Sequence, residues 1–282
     1  MPLQTDGISV AYSPMRLSGL FAVTAMVFAV PAFSQTIDVK SANAAAKGRS
    51  PSPTPVAQAQ TAPANNPDFR PVVLGTGPNS LINRIDTAAL IKAGQKDGLV
   101  MFTCLVEKTG KMLETAVYRP SANSDELQKE LKRRLVDATF APAVYNHQLV
   151  DAVYYGTVSF VVVQGKPRLR IFSNQEYPEL QKESNFVGPQ PIFGGESKFA
   201  GLHYPPAAAA QVPVSGIADI RVKVDAKGNL EWMGVIGEHP PLVGFGAQGL
   251  VDLDGAKFIP AFRDGKPVDC EVTLPLYYPE PQ

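Results

Sequence analysis

Gly216-Ile-Ala-Asp-Ile-Arg-Val-Lys-Val224, followed by Asp225-Ala-Lys-Gly-Asn229, is the stretch whose reading decides the fold. Ala218, Ile220, Val222 and Val224 alternate with Asp219, Arg221 and Lys223, the period of two expected of a strand with one buried and one wet face. Gly228 stands where a hairpin loop needs positive φ, so a second strand through Val235 must return beside the first. The same arrangement occurs upstream. Gly98-Leu-Val-Met-Phe-Thr-Cys-Leu-Val106 puts Val100, Phe102, Cys104 and Val106 on one face, and Glu107-Lys108-Thr109-Gly110-Lys111 makes the turn.

The register between the two is free of gaps. Gly98, Val106, Gly110, Val117, Leu135, Phe140, Pro142, Ala143, Val150 and Asp151 match Gly216, Val224, Gly228, Val235, Leu253, Phe258, Pro260, Ala261, Val268 and Asp269, every pair 118 residues apart. That period is too long for a solenoid and reads as two tandem domains. After each hairpin comes a helix. Upstream, Asn123 caps it with Glu126 at the third position, and Leu127, Leu131, Leu135 and Ala138 make one stripe. Downstream, Phe245, Leu253 and Ala256 keep the stripe, but Gly244, Gly246, Gly249 and Gly255 intrude, at ~1 kcal/mol for each helix-interior glycine. A closing strand follows, Val150–Val162 upstream and Val268–Leu276 downstream. Strand–strand–helix–strand, twice, gives an α+β fold with a helix on an antiparallel sheet.

The organisation expected is therefore a signal peptide over 1–34, a disordered Pro/Ala-rich linker over 35–67, a first domain over 68–172, a connection over 173–200 and a second domain over 201–282. The signal rests on Arg16, the apolar run Leu17 to Val30, and Ala32 and Ser34 before the expected cleavage; Met15 is the expected true start. The alternative is an uncleaved inner-membrane anchor, although the run is shorter than the ~20 residues of a span. Export places the chain in the periplasm, where Cys104 and Cys270 stand either as two buried thiols or as an interdomain disulfide.

Composition removes whole classes. With 26 Lys+Arg against 26 Asp+Glu the net charge is zero, which excludes the basic excess of a nucleic-acid binder. Two cysteines and the scattered His147, His203 and His239 give no metal-ligand spacing. Gly75-Thr76-Gly77-Pro78 lacks the rest of a phosphate loop, and there is no Gly-x-Ser-x-Gly elbow. Neither a catalytic residue, a cofactor nor a metal is expected.

Tyr204-Pro205, an alanine-rich run, Gly216-x-x-x-x-Arg-Val-Lys-Val, the glycine hairpin, Val235, a helix, and Phe258-x-Pro-Ala-x-x-x-Gly-Lys-Pro-Val268 resemble the C-terminal domain of TonB-family proteins. The resemblance covers Leu202 to Tyr278 well and about Leu81 to Val163 more loosely. It implies a periplasmic, non-enzymatic protein-interaction module. The partner it implies is an envelope protein, an outer-membrane receptor or its peptide segment, held by strand addition. The apolar N-terminal run carries no histidine, unlike the TonB anchor, so a membrane-anchored energy transducer is the second reading. A third is an envelope enzyme or small-ligand binder at an interdomain cleft around Gln175–Phe199. The site expected for strand addition is the edge of a closing strand, with Val150, Val158, Val268, Val272 and Leu274 the partner-binding residues. The alternative is that two domains, or two copies of the chain, cap each other's edges.

Overall fold

The computed structural model describes residues 66–206 and 214–281, together with the strand Thr36–Asp38. The expected signal peptide lies outside the described residues. So does the expected linker, apart from Thr36–Asp38 and Asn66–Pro67. The chain is a mixed α/β structure with few helices and many antiparallel strands in several small sheets. In chain order the upstream elements are β1 (Thr36–Asp38), β2 (Phe69–Arg70), β3 (Val73–Leu74), α1 (Leu81–Arg84), α2 (Thr87–Lys92), β4 (Gly98–Val106), β5 (Met112–Tyr118), α3 (Asp125–Leu135), β6 (Phe140–Ala141), β7 (Ala143–Tyr145), β8 (Gln148–Val150), β9 (Ala152–Val163) and β10 (Lys166–Phe172). Downstream follow α4 (Tyr177–Gln181), β11 (Gln190–Pro191), β12 (Gly216–Val224), β13 (Leu230–His239), α5 (Phe245–Leu253), β14 (Phe258–Ile259), β15 (Ala261–Arg263), β16 (Lys266–Val268) and β17 (Cys270–Tyr278).

The larger sheets run β1-β5-β4-β9-β10 and β13-β12-β17. Their ladders share one register: Val106 faces Ala152 as Val224 faces Cys270, and Cys104 faces Tyr154 as Val222 faces Val272. The hairpins repeat atom for atom. Phe140 N donates to Gly110 O and Phe258 N to Gly228 O, while Lys108 N and Ala226 N each donate to an aspartate Oδ1, of Asp151 and Asp269, at 2.7 Å. A Cβ on Gly110 would lie 2.4 Å from Phe140 O, and one on Gly228 only 1.9 Å from Phe258 O. This carbonyl contact, with φ near +80° at both glycines, is why glycine recurs there; the aspartates recur because each accepts a turn amide, and the phenylalanines because each fills a hydrophobic cluster.

One face of each sheet meets its helix. Val100, Phe102, Cys104 and Val106 join Leu127, Leu131 and Leu135 in one hydrophobic cluster; Ala218, Ile220, Val222 and Val224 join Phe245 and Leu253 in the other. The glycines of α5 belong to this packing. A Cβ on Gly249 would meet Leu276 at 2.9 Å and Ile220 at 3.2 Å, and one on Gly246 would meet Val235 at 2.7 Å. The helix trades propensity for a close seat on the sheet. Asn123 does not cap α3: its φ is +61°, and the Ser124 N-cap accepts no helix amide, its hydroxyl donating back to Ser121 O instead. Gln95, from just beyond α2, accepts from Leu127 N at 2.7 Å and donates to Asn123 O at 2.9 Å.

The two clusters interlock. Ala152, Tyr154, Val158 and Phe160 of β9 enter the upstream cluster while Tyr155, on its other face, enters the downstream one; Ile259 and Phe262 cross the opposite way. The stretch 173–200, expected as a connection, is structured. Phe69–Arg70 pairs with β7, and Val187 bridges Phe262 of β15; β3 pairs with β6, and β11 with β14. The repeated pattern therefore begins earlier than the sequence register suggests. Gln190 reaches back to Val72, accepting from its N at 2.7 Å and donating to its O at 2.9 Å.

Gly228→Ala is expected to lower unfolding stability by about 3 kcal/mol, combining left-handed strain with displacement of a backbone carbonyl. Gly265→Ala, with φ of +74° but open space around it, is expected to cost only ~1 kcal/mol. Urea midpoints at unchanged slope measure the difference.

Candidate functional site

Strand addition needs an edge with free backbone groups and no cover. The five expected residues do not supply one. Val158 is fully buried in β9, which is paired on both sides: Val158 faces Val100 of β4 and Ile171 of β10. The cover arises from a turn at Gln164 and Gly165, both at positive φ, which folds β10 back along β9. β10 is itself the outer edge of that sheet, and it is blunted: its exposed residues are Lys166, Pro167 and Arg168, and Glu183 pairs with both Arg168 and Arg170. Val150 lies in β8 opposite Ala143, half-buried against the upstream cluster. Val268 lies opposite Ala261 in the two-stranded β15-β16 sheet.

Val272 and Leu274 lie on β17, which is an edge, but a blunted one. Both side chains are buried. Thr273 N donates outward to Glu176, so alternation turns the Val272 and Leu274 amides toward β12. The next outward position is Pro275, which has no N–H to offer. A proline at Val272 or Val158 would break a ladder inside its sheet, so neither substitution tests binding.

Gln175 and Glu176, adjacent in sequence, fasten the two sheets together. Glu176 closes the β17 edge. Gln175 Nε2 donates to Phe102 O at 3.0 Å and Gly156 O at 2.9 Å, and its Oε1 accepts from Tyr118 Oη. Tyr118 in turn stacks on Tyr277 with ring centroids 5.8 Å apart. Arg119 pairs with Asp219 at 2.6 Å. At the Gln175 end of the stretch expected to line a cleft, the cavity bounded by Tyr155, Asn174, Glu176, Gly188 and Val272 holds about 10 Å³, at most one water's worth.

The edge left without such blunting is β13, the second strand of the downstream hairpin. It spans ten residues and pairs only with β12. The Lys223–Trp232 and Arg221–Gly234 pairs face inward, so Met233 and Val235 direct their amides and carbonyls outward. Ile220 faces Val235 while Asp219 faces Gly237, leaving Ile236 as a bulge. Trp232 is 53% exposed and Ile236 62%. The Trp232 ring lies across Gly234, where a Cβ would come within 2.9 Å of it. Beside the edge runs a groove of about 360 Å³, bounded by Leu230, Glu231, Trp232 and Met233 on one side and by Asp254 and Lys257 after α5 on the other. The corresponding upstream edge is β5, and there β1 lies antiparallel along it, Thr36 facing Ala116 and Asp38 facing Glu114. Sequence reasoning named the closing strands and passed over β13. Its signal was a strand with apolar residues on both faces, Trp232, Val235 and Ile236, in place of clean alternation.

Glu238, near the far end of β13, organises the start of α5. Its Oε1 accepts from Val243 N at 2.8 Å and Gly244 N at 3.1 Å, and its Oε2 from Gly246 N at 2.6 Å. Burial opposes ionisation here, but the backbone donors outweigh it and hold the carboxyl below the usual glutamate range. This is an N-terminal cap delivered from the preceding strand.

Cys104 and Cys270 are free thiols, each pushed by burial up to about 12, the reverse of an activated nucleophile. Asp252 is buried in α5, where its carboxylate accepts from His203 N at 3.0 Å, Gln248 Nε2 at 2.9 Å and Tyr278 Oη at 3.2 Å and lies 2.8 Å from His203 Nδ1, whose imidazole is largely exposed. Among the described residues no group of three or more His, Cys, Asp or Glu could hold a metal ion, and no helix is long and apolar enough to cross a membrane. Comparison with family models, with curated proteins and with solved structures finds no match to the chain.

Glu238→Gln is expected to lower the melting temperature by several degrees at neutral pH. Because the folded-state carboxyl titrates below the ordinary 4.5, this stabilisation is complete above that value and drains as pH falls through the folded one. The gap between wild type and variant should therefore hold from pH 7 to about 5 and close in acid, as thermal melts across that range would measure.

Proposed function

We propose that the chain is a periplasmic, non-enzymatic protein-interaction module that captures an extended peptide by strand addition. Its two tandem units each resemble a TonB C-terminal domain, a helix on an antiparallel sheet. The partner is an envelope protein that presents a β-capable segment, an outer-membrane receptor or its peptide being the kind the resemblance implies. The observation that carries this reading is β13, a long strand paired on one side only, with exposed apolar side chains and a groove alongside, in a sheet whose other edge is blunted by Glu176 and Pro275. An uncovered strand of this kind is a liability unless something pairs with it.

The test replaces one outward amide. Met233→Pro removes a donor on the open side and leaves the β12 ladder its inward bonds, a position where edge strands tolerate proline. A displayed library of extended peptides should enrich binders on the wild-type chain, and those binders should weaken at least about tenfold on the variant. Circular dichroism should show the fold retained. Failure to enrich any extended peptide, or equal binding by Met233→Pro with its fold intact, overturns the reading.

A further inference from the structure

Resting on strand addition at β13, we infer that the captured segment runs antiparallel to β13 and places a lysine or arginine side chain in the groove beside Trp232. The direction comes from the molecule itself. On β5, which stands 118 residues upstream in the shared register, β1 is an extended segment seated antiparallel, opposite Ala116, Thr115 and Glu114. The equivalent positions on β13 are Gly234, Met233 and Trp232. A segment in that register crosses the mouth of the groove at its third residue.

The chemistry of the groove selects what that residue carries. The Trp232 indole brings its Cη2 and Cζ2 atoms over Gly234, and the side chain is half exposed, which leaves ring surface for a cation to approach. The ionic side chains that bound the groove are Glu231, Asp254 and Lys257. Lys257 is committed, its Nζ donating to Asn229 Oδ1 at 2.9 Å, and Glu231 Oε2 holds Lys223 at 2.8 Å. The Asp254 side chain is exposed and has no hydrogen-bond or ion-pair partner among the described residues. The unpaired Asp254 carboxylate and the exposed indole therefore favour a basic occupant over an acidic one. The upstream copy lacks this chemistry: Glu114 stands where Trp232 does and Val136 where Asp254 does. The selectivity therefore belongs to the downstream edge alone.

Trp232 is the chain's one tryptophan, so its emission reports the seat directly. The probes are acetylated Thr-Val-Thr-Val-Lys-Val-Thr-Val and the same peptide with glutamate for lysine, titrated onto the full chain. The lysine peptide should bind about five- to tenfold more tightly at low salt and change the tryptophan emission. The preference should shrink as salt rises, and Asp254→Lys, an exposed substitution, should abolish or reverse it. Equal binding of the two peptides, each moving the emission, would leave strand addition standing and overturn the basic selectivity. Binding that the Met233→Pro variant loses but that leaves the emission unmoved would overturn the register. If neither peptide binds, the inference falls together with the strand-addition reading beneath it.

Discussion

The structure depends on β9 being buried on both faces. An antiparallel strand ordinarily shows one face to water, and its sequence alternates accordingly. Here Ala152, Tyr154, Val158 and Phe160 fill one hydrophobic cluster while Tyr155 enters the other and Thr157, wholly buried, donates to Asn174 O. Gly156 is the one position in the strand without a side chain, and a Cβ there would sit 2.4 Å from the Phe102 ring. Because β9 has two cores, whatever follows it must cover its far side. The Gln175–Glu176 attachment, the Tyr118–Tyr277 stack and the Arg119–Asp219 pair all lie along that join.

Much of the fold was legible because it is local. The hairpins at Gly110 and Gly228 are dictated by loop chemistry, and their recurrence reflects one backbone contact, glycine against a phenylalanine carbonyl, that admits no other residue. The alternating strands and the leucine stripe of α3 follow from periodicity alone. What was not legible depends on residues distant in sequence. The cap of α3 comes from Gln95 and not from Asn123. The glycines of α5 read as weakness in isolation and as close packing once Ile220 and Leu276 are beside them.

The candidate site was harder to read for the same reason. Whether a strand is an edge is a property of its neighbours, not of its own residues. Val158 sits in an alternating apolar strand, yet the Gln164–Gly165 turn folds β10 over it. Val272 and Leu274 are on a true edge, which the carboxylate of Glu176, almost a hundred residues away, closes. The edge strand that carries no proline or charged cover is the one with apolar residues on both faces, and its tryptophan and bulged isoleucine are the traces of that openness in the sequence.

The exchange of Tyr155 for Ile259 and Phe262 between the two hydrophobic clusters has an evolutionary consequence. Two copies that merely adjoin can be shuffled, deleted or recombined one at a time. Two that have traded core residues cannot, because removing either leaves the other with a hole where its neighbour's side chains stood. Such a pair can only be inherited whole.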